Sequence, residues 1–204
     1  MLLIASDLPE LSGLADGWQA ELVAVPDTPD LGELERWREE VAGGQPAERI
    51  AVAVWRPAHE PRALCEMDAP EFTDRAERTF AQWYAALGAA ARRVADGGAI
   101  VAVAERPSPL DCAGWAPESG IADAVEAFVR SLARSEGGRG VRVNAVTTPA
   151  RFVTGPVVAP APPLPSFPGS IDADLAAAAT MLLGPGVVGV TGAVVHADAG
   201  RSWR

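Results

Sequence analysis

The sequence predicts an α/β protein in three layers, with a parallel sheet of about six strands between two layers of helices. Two observations carry that prediction. Apolar runs of strand length alternate along the chain with apolar stripes at helical spacing. In residues 97–146 the alternation is complete: a glycine-bounded apolar run, a helical stripe and a second apolar run. That is a strand, a crossover helix and a strand lying parallel to the first. The 204 residues are read as a single domain, 1–204.

Residues 2–5 read as the first strand, and Ser6 to Trp18, with Gly13 and Gly17, as a loop. Residues 21–25 read as the second strand. Thr28 followed by Pro29 reads as a helix start, the hydroxyl capping and the proline at the first helical position. Leu31, Leu34, Trp37 and Val41 give this helix one apolar face, and Gly43-Gly44 ends it. Residues 50–55 read as a buried strand. Phe72, Ala76, Phe80, Trp83, Leu87, Ala91 and Val94 then recur at spacings of three and four, the stripe of a long helix. Residues 99–104 form the next strand. Ile121, Ala124, Val125, Phe128, Val129 and Leu132 make a second stripe, stopped by Gly137 and Gly138. Residues 141–146 read as a strand, in which Asn144 is a satisfied structural amide. Residues 156–168 carry Pro160, Pro162, Pro163 and Pro165, which favour extended chain: a stiff connection, a lid or a partner-binding arm. A helix from Asp172 and a strand over 193–197 close the pattern.

Composition removes several function classes. A net charge of -10 and a pI near 4.7 argue against nucleic acid or an anionic membrane as partner. No apolar run reaches the roughly eighteen residues a membrane span needs, and no basic segment with an apolar stretch follows Met1. The expected location is cytoplasmic. Cys65 and Cys112 lack CxxC spacing and read as reduced thiols. His59 and His196 have no ligand-like spacing to each other or to the cysteines, so no metal site is predicted. The sequence contains no lysine, which excludes a lysine Schiff base and a P-loop lysine. Its single tyrosine is Tyr84.

Three segments carry a resemblance. Val125 to Val146, Val-Glu-Ala-Phe-Val-Arg-Ser-Leu-Ala-Arg-Ser-Glu-Gly-Gly-Arg-Gly-Val-Arg-Val-Asn-Ala-Val, resembles the helix and strand that follow the active-site loop of the short-chain dehydrogenase/reductase family. Val190-Thr-Gly-Ala-Val-Val-His-Ala-Asp-Ala-Gly200 resembles that family's last strand and its Asp-Gly-Gly end, and Asp172-Ala-Asp-Leu-Ala-Ala-Ala-Ala the helix before it. The resemblance implies a Rossmann-like, doubly wound parallel sheet. Only one helix fits between residues 21–25 and 50–55, so one strand-helix unit is read as deleted near the N-terminus. The expected strand order is 2-1-4-5-6-7 in the family's labels.

The resemblance also implies where catalysis would sit. The family uses a Tyr as acid/base, a Lys four residues later that lowers the Tyr pKa and holds the nicotinamide ribose, and a Ser about a dozen residues earlier. Laying Ala124-Val-Glu-Ala on the pattern puts Ala122 at the Lys, Glu118 at the Tyr, and Ala104 or Glu105 at the Ser. With no lysine in the chain, no register restores the pair, and no catalytic residue is assigned. Glu105 and Glu118 could perform acid/base work if burial drove their pKa values apart. The expectation is instead that one or both are exposed or held in a surface ion pair. The glycine-rich cofactor turn is absent, Asp7 and Glu10 would face a pyrophosphate with like charge, and Pro9 removes a donor. After the third strand, Trp55-Arg-Pro-Ala-His59 stands where the family has Asn-Asn-Ala-Gly. Pro149 and Thr154 keep a vestige of a cofactor-facing turn, with Ala150 at its Gly. These features predict that neither NAD nor NADP is bound.

In the family the two striped helices form an inter-subunit bundle. The interface candidates here are Phe80, Trp83, Tyr84 and Leu87 on the first, Val125, Phe128, Val129 and Leu132 on the second, Val195 in the last strand and Trp203 in the tail. The resulting reading is a non-catalytic short-chain dehydrogenase/reductase-like subunit, a structural or regulatory partner of an active relative in a hetero-oligomer, or pairing with itself. The alternatives are an enzyme with altered acid/base chemistry through Glu105 and Glu118, an NAD(P)-dependent oxidoreductase with a non-standard site, and a small-molecule binding module in a vestigial pocket.

Overall fold

Strands that are apolar on both faces need cover on both, and the architecture supplies it. The structure, a computed structural model, describes residues 1–153 and 164–201. Six strands, β1 (Leu2–Ala5), β2 (Glu21–Ala24), β3 (Ala47–Ala53), β4 (Val94–Glu105), β5 (Arg142–Thr148) and β6 (Val194–His196), form one sheet in the order β2-β1-β3-β4-β5-β6. Every pairing is parallel; Leu2 stands opposite Glu21 on one side and Ile50 on the other. This is the order expected of a doubly wound sheet that lacks one strand-helix unit.

Side chains alternate across the sheet with period two. Leu2, Ile4, Ile50 and Val52 pack under α2 (Leu31–Ala42), α4 (Thr79–Arg93) and α5 (Ala116–Glu136). Leu3, Ala5, Ala51 and Ala53 pack under α1 (Pro9–Trp18) and α6 (Ala176–Leu183). A short α3 (Ala69–Phe72) precedes α4, joined to it by wider, π-type turns over Thr73–Arg78. The chain crosses from β2 over β1 to β3 through α2, so the winding reverses there. The carboxyl ends of β1 and β3 therefore flank the crevice where sheets of this kind take ligands.

Several local expectations change. Residues 6–18 contain a helix rather than a loop: Pro9 sits in the first turn, where its missing N–H costs nothing, and Leu11, Leu14 and Ala15 are buried against the sheet. The cap of α2 is Asp30, not Thr28. The Asp30 carboxylate accepts from Gly32 N at 2.8 Å and Glu33 N at 3.3 Å, while Thr28 Oγ1 accepts from Asp30 N. Leu31 consequently falls outside the core, 67% exposed. The long stripe ends earlier than its periodicity, with Val94 already the first residue of β4. Helix α5 begins at Ala116, ahead of its apolar stripe, with Pro117 in its first turn. It ends at Glu136, and the left-handed residue of the following turn is Gly140, not Gly137 or Gly138. Most of the proline-rich stretch, 154–163, lies outside the described residues, as does 202–204. Among the described residues no helix is long and apolar enough to cross a membrane.

Candidate functional site at the carboxyl ends of the strands

Four strand ends meet at the crevice. Ser6, just after β1, accepts Trp55 N on Oγ and donates its own N–H to the Ala53 carbonyl, which fixes the β1 and β3 exits. Trp55, just after β3, is buried and its indole N–H donates to the Val103 carbonyl of β4. Glu105 is the last residue of β4, in register with Thr148 at the end of β5. After β5 the chain turns through Pro149, and Arg151 points back across the strand ends.

Arg151 ties these exits together. Its Nε donates to Glu105 Oε1 at 2.5 Å and Nη2 to Oε2 at 2.7 Å, a two-point guanidinium–carboxylate pair. Nη2 also donates to the Arg56 carbonyl at 2.5 Å. Nη1 reaches Glu10, in the first turn of α1, at 3.4 Å. The guanidinium lies 5.2 Å from the Trp55 ring centroid, a cation–π arrangement. One side chain thus spans from β5 over β4 and β3 to the helix that follows β1. Burial pushes the Glu105 carboxyl above its ordinary value, with Arg151 pulling the other way. Burial opposes the charge on Arg151, but its bonds to Glu105 outweigh that and hold it above its ordinary value.

A second pair closes the other half of the crevice. Glu118 lies in the first turn of α5, where a carboxylate suits the helix dipole. Both its oxygens accept from Arg75, Nε to Oε1 and Nη2 to Oε2, each at 2.9 Å. Arg75 also pairs with Glu71, and its side chain is 2% exposed. Trp115 and Phe152 pack at 4.8 Å between centroids beside these pairs. The remaining cavities, bordered by Glu105 and Glu118, measure only about 30 and 20 Å³. His59 lines the smaller one; its Nε2 is buried with no hydrogen-bond partner among the described residues, and burial, followed by the Arg75 charge, lowers its pKa.

The two carboxylates therefore come together, against the expectation of exposure or surface pairing. Their side chains are only 12% and 16% exposed, and each is committed to a guanidinium. The reason is that α5 starts early enough to carry Glu118 inward, and that two arginines fold over the strand ends. Ala122 is fully buried on the inner face of α5, and Pro149 stands at the turn after β5; Thr154 lies outside the described residues. Asn144 is satisfied as read: Nδ2 donates to the Val190 carbonyl and Oδ1 accepts from Ala193 N. His196 is exposed, its Nδ1 2.8 Å from Thr147 Oγ1, and Cys65 and Cys112 are exposed free thiols.

Of the interface candidates, Trp83, Leu87, Val125 and Val129 face the core of this chain and are buried. Phe80 and Tyr84 are 45% and 52% exposed, while Phe128 and Leu132 are half-buried. Phe80 stacks on Phe128 at 5.2 Å. Val195 is half-buried, and Trp203 lies outside the described residues. Sequence reading missed Arg75 and Arg151. The carboxylates they bring to the crevice, Glu118 and Glu105, lie at separations of 43 and 46 in the chain, so spacing gave no signal.

No family model and no curated protein matches the chain. Solved structures do. A short-chain dehydrogenase/reductase from Serratia marcescens BCRC 10948 superposes over 99% of this chain and 97% of its own, with a TM-score of 0.70 and 18% identity. The chain has the short-chain dehydrogenase/reductase fold. Two further structures of that fold carry a cofactor. A blue fluorescent protein from a metagenomic library, in complex with NADPH, matches with a TM-score of 0.65 and 22% identity over 98% of this chain and 87% of its own. An enoyl-(acyl-carrier-protein) reductase from Anaplasma phagocytophilum, in complex with NAD, matches with a TM-score of 0.67 and 17% identity over 98% and 92%.

These neighbours correct one expectation. The prediction that NAD and NADP are not bound rested on the lost glycine turn and the acidic residues beside it. The short-chain dehydrogenase/reductase fold that this chain adopts over almost its whole length holds NADPH or NAD in those proteins, so the lost turn does not exclude a dinucleotide. The physical reason lies in two features the sequence concealed. Helix α1 still forms at the crevice, and a guanidinium reaches its first turn. The residues fit a diphosphate through that guanidinium more than through the helix backbone. Pro9 has no N–H, and the N–H groups of Leu8, Leu11 and Ser12 are already used within the turn.

Proposed function

We propose that this chain is a non-catalytic subunit of the short-chain dehydrogenase/reductase fold, which acts by associating with a catalytically active relative. One observation carries the reading. Glu105 and Glu118 stand where the resemblance assigns the Ser and the Tyr, and each is locked in a two-point pair with an arginine. General acid/base work needs a group free to exchange its proton with substrate, and both carboxylates are committed to guanidinium groups instead. The absence of lysine, and the exposed position of Tyr84 on the outer face of α4, support the same reading.

Association is supported by the outward residues of α4 and α5. Phe80, Tyr84 and Phe128 form an aromatic surface of the kind enriched in interface cores. The dinucleotides held by two structural neighbours extend the proposal: the crevice takes a nicotinamide dinucleotide as a bound ligand, without hydride transfer by this chain alone. A second reading, an oxidoreductase with a non-standard proton donor, is favoured by the dehydrogenase descriptions of the neighbours.

The test is co-expression with intact relatives, followed by size-exclusion chromatography and turnover assays with and without this chain. The expected result is a mixed complex whose stability or turnover depends on it. A chain that stays apart from every relative would sink the proposal. Reduction of carbonyl substrates by the isolated chain with NADPH or NADH would favour the second reading.

A further inference from the structure

We propose that Arg151 is an exchangeable plug of the crevice: in the free chain it pairs with Glu105 and Glu10, and it trades Glu10 for the diphosphate of a dinucleotide when one enters. The inference rests on the nucleotide-crevice part of the proposed function and adds the residue that controls entry. Any ligand lying across the carboxyl ends of β1 and β3 must cross the path of the Arg151 side chain, because that side chain bridges from β5 to α1. The bridge has a firm end and a loose end. At the firm end Glu105 and the Arg56 carbonyl take Nε and Nη2, all at 2.5–2.7 Å. At the loose end Nη1 has only the 3.4 Å contact to Glu10, whose side chain is 38% exposed.

Glu10 sits where an incoming anion would sit. It occupies the first turn of α1, where the helix dipole favours negative charge, and it faces a guanidinium. It is therefore an internal stand-in for a ligand phosphate, held by one long contact. A diphosphate brings more charge and more acceptor atoms to the same two attractions, the dipole and Nη1. Glu10 must move aside, while the Glu105 end keeps the guanidinium aimed. Trp55, stacked on that guanidinium, holds the plane in which it would present its donors.

The experiment is a titration of the intact chain with NADH and NADPH, read by nicotinamide fluorescence and by calorimetry, with inorganic pyrophosphate as competitor. Glu10→Gln keeps the shape of a partly exposed side chain and removes the competing charge; it should tighten binding by about tenfold or more. Arg151→Ala should weaken binding by a similar factor, and Arg151→Lys should recover only part of it, because the fork is lost. Pyrophosphate should compete in wild type and Glu10→Gln, and fail to compete in Arg151→Ala. Arg151→Ala binding more tightly than wild type would reduce Arg151 to a steric block and overturn the proposal. So would the absence of saturable binding in both wild type and Glu10→Gln, which needs no folded Arg151 variant. Neither result bears on association with a relative, which the co-expression experiment decides separately.

Discussion

At the scale of single residues, the crevice is governed by arginine–carboxylate pairs removed from most of their water. Such pairs stabilise little as units, but breaking one leaves a buried charge uncompensated. Glu118→Ala should therefore cost about 3 kcal/mol in urea unfolding, because Arg75 keeps only Glu71 as a charged partner, with a long 3.5 Å contact to the Gly114 carbonyl. Replacing both partners, as Arg75→Met with Glu118→Leu, should cost clearly less than that single change. Two other carboxylates give opposite pH signatures. Asp111 accepts from Arg201 at 3.0 Å through both oxygens and from Ser108 at 2.5 Å, and the Arg201 bonds chiefly hold it below its ordinary 3.8. Folding favours its ionised form, so that stability is present above the ordinary value and lost as pH falls through the lowered one. Asp111→Asn should cost about 1–3 kcal/mol at about pH 7 and almost nothing once the pH lies below the lowered value. Glu105 runs the other way. Burial raises its pKa above 4.5, so its contribution is present below that value and lost as pH rises through the raised one. The stability of wild type relative to Glu105→Gln should fall over that rise. Little of this was legible beforehand. Asn144 could be read from its strand, since an amide beside a partner strand finds backbone groups. The Arg75–Glu118, Arg151–Glu105 and Arg201–Asp111 pairs join residues distant in the chain and leave no local pattern.

At the scale of elements, hydrophobic period carried nearly everything that could be read. The strands and the stripes of α4 and α5 were legible because burial on both faces of a sheet demands them. Helix α1 was not, since Gly13 and Gly17 weaken its intrinsic preference and only the packing of Leu11, Leu14 and Ala15 under β1 and β3 secures it. The start of α2 depended on which of two neighbouring oxygen-bearing side chains capped it, a choice of geometry rather than composition. Asp30→Ala should cost about 1 kcal/mol by thermal or urea unfolding, as loss of an N-cap does. At the entry to the inner part of β4 the backbone runs close to its neighbour. A Cβ at Gly98 would lie 2.7 Å from the Glu48 carbonyl oxygen and 2.8 Å from that of Ala95, both backbone atoms. Gly98→Ala should cost roughly 1–3 kcal/mol, as overpacking does where the neighbour cannot yield.

At the scale of the whole molecule, the parallel sheet was legible from the alternation of strands with single helices, and the strand order from the family resemblance. The state of the crevice was not, since its closure depends on side chains from four separate strand exits. The outward aromatic face gives the prediction at this scale. Phe80→Asp should abolish association with a catalytic relative in size-exclusion chromatography, while its unfolding free energy in urea stays within about 1 kcal/mol of wild type, since Phe80 is a surface residue here. The sheet itself also has a kinetic consequence. With every strand pairing among the described residues parallel and joined by a crossover, the described fold contains no hairpin that could form early on its own. Leu2 must find Ile50, and Ile50 must find Ile100, before either pairing exists. Chain closure is met before the contacts that reward it, so refolding should be slow for the molecule's size, and strand edges stay open while the search lasts. A stopped-flow refolding trace should show a principal phase no faster than milliseconds, and its yield should fall as protein concentration rises.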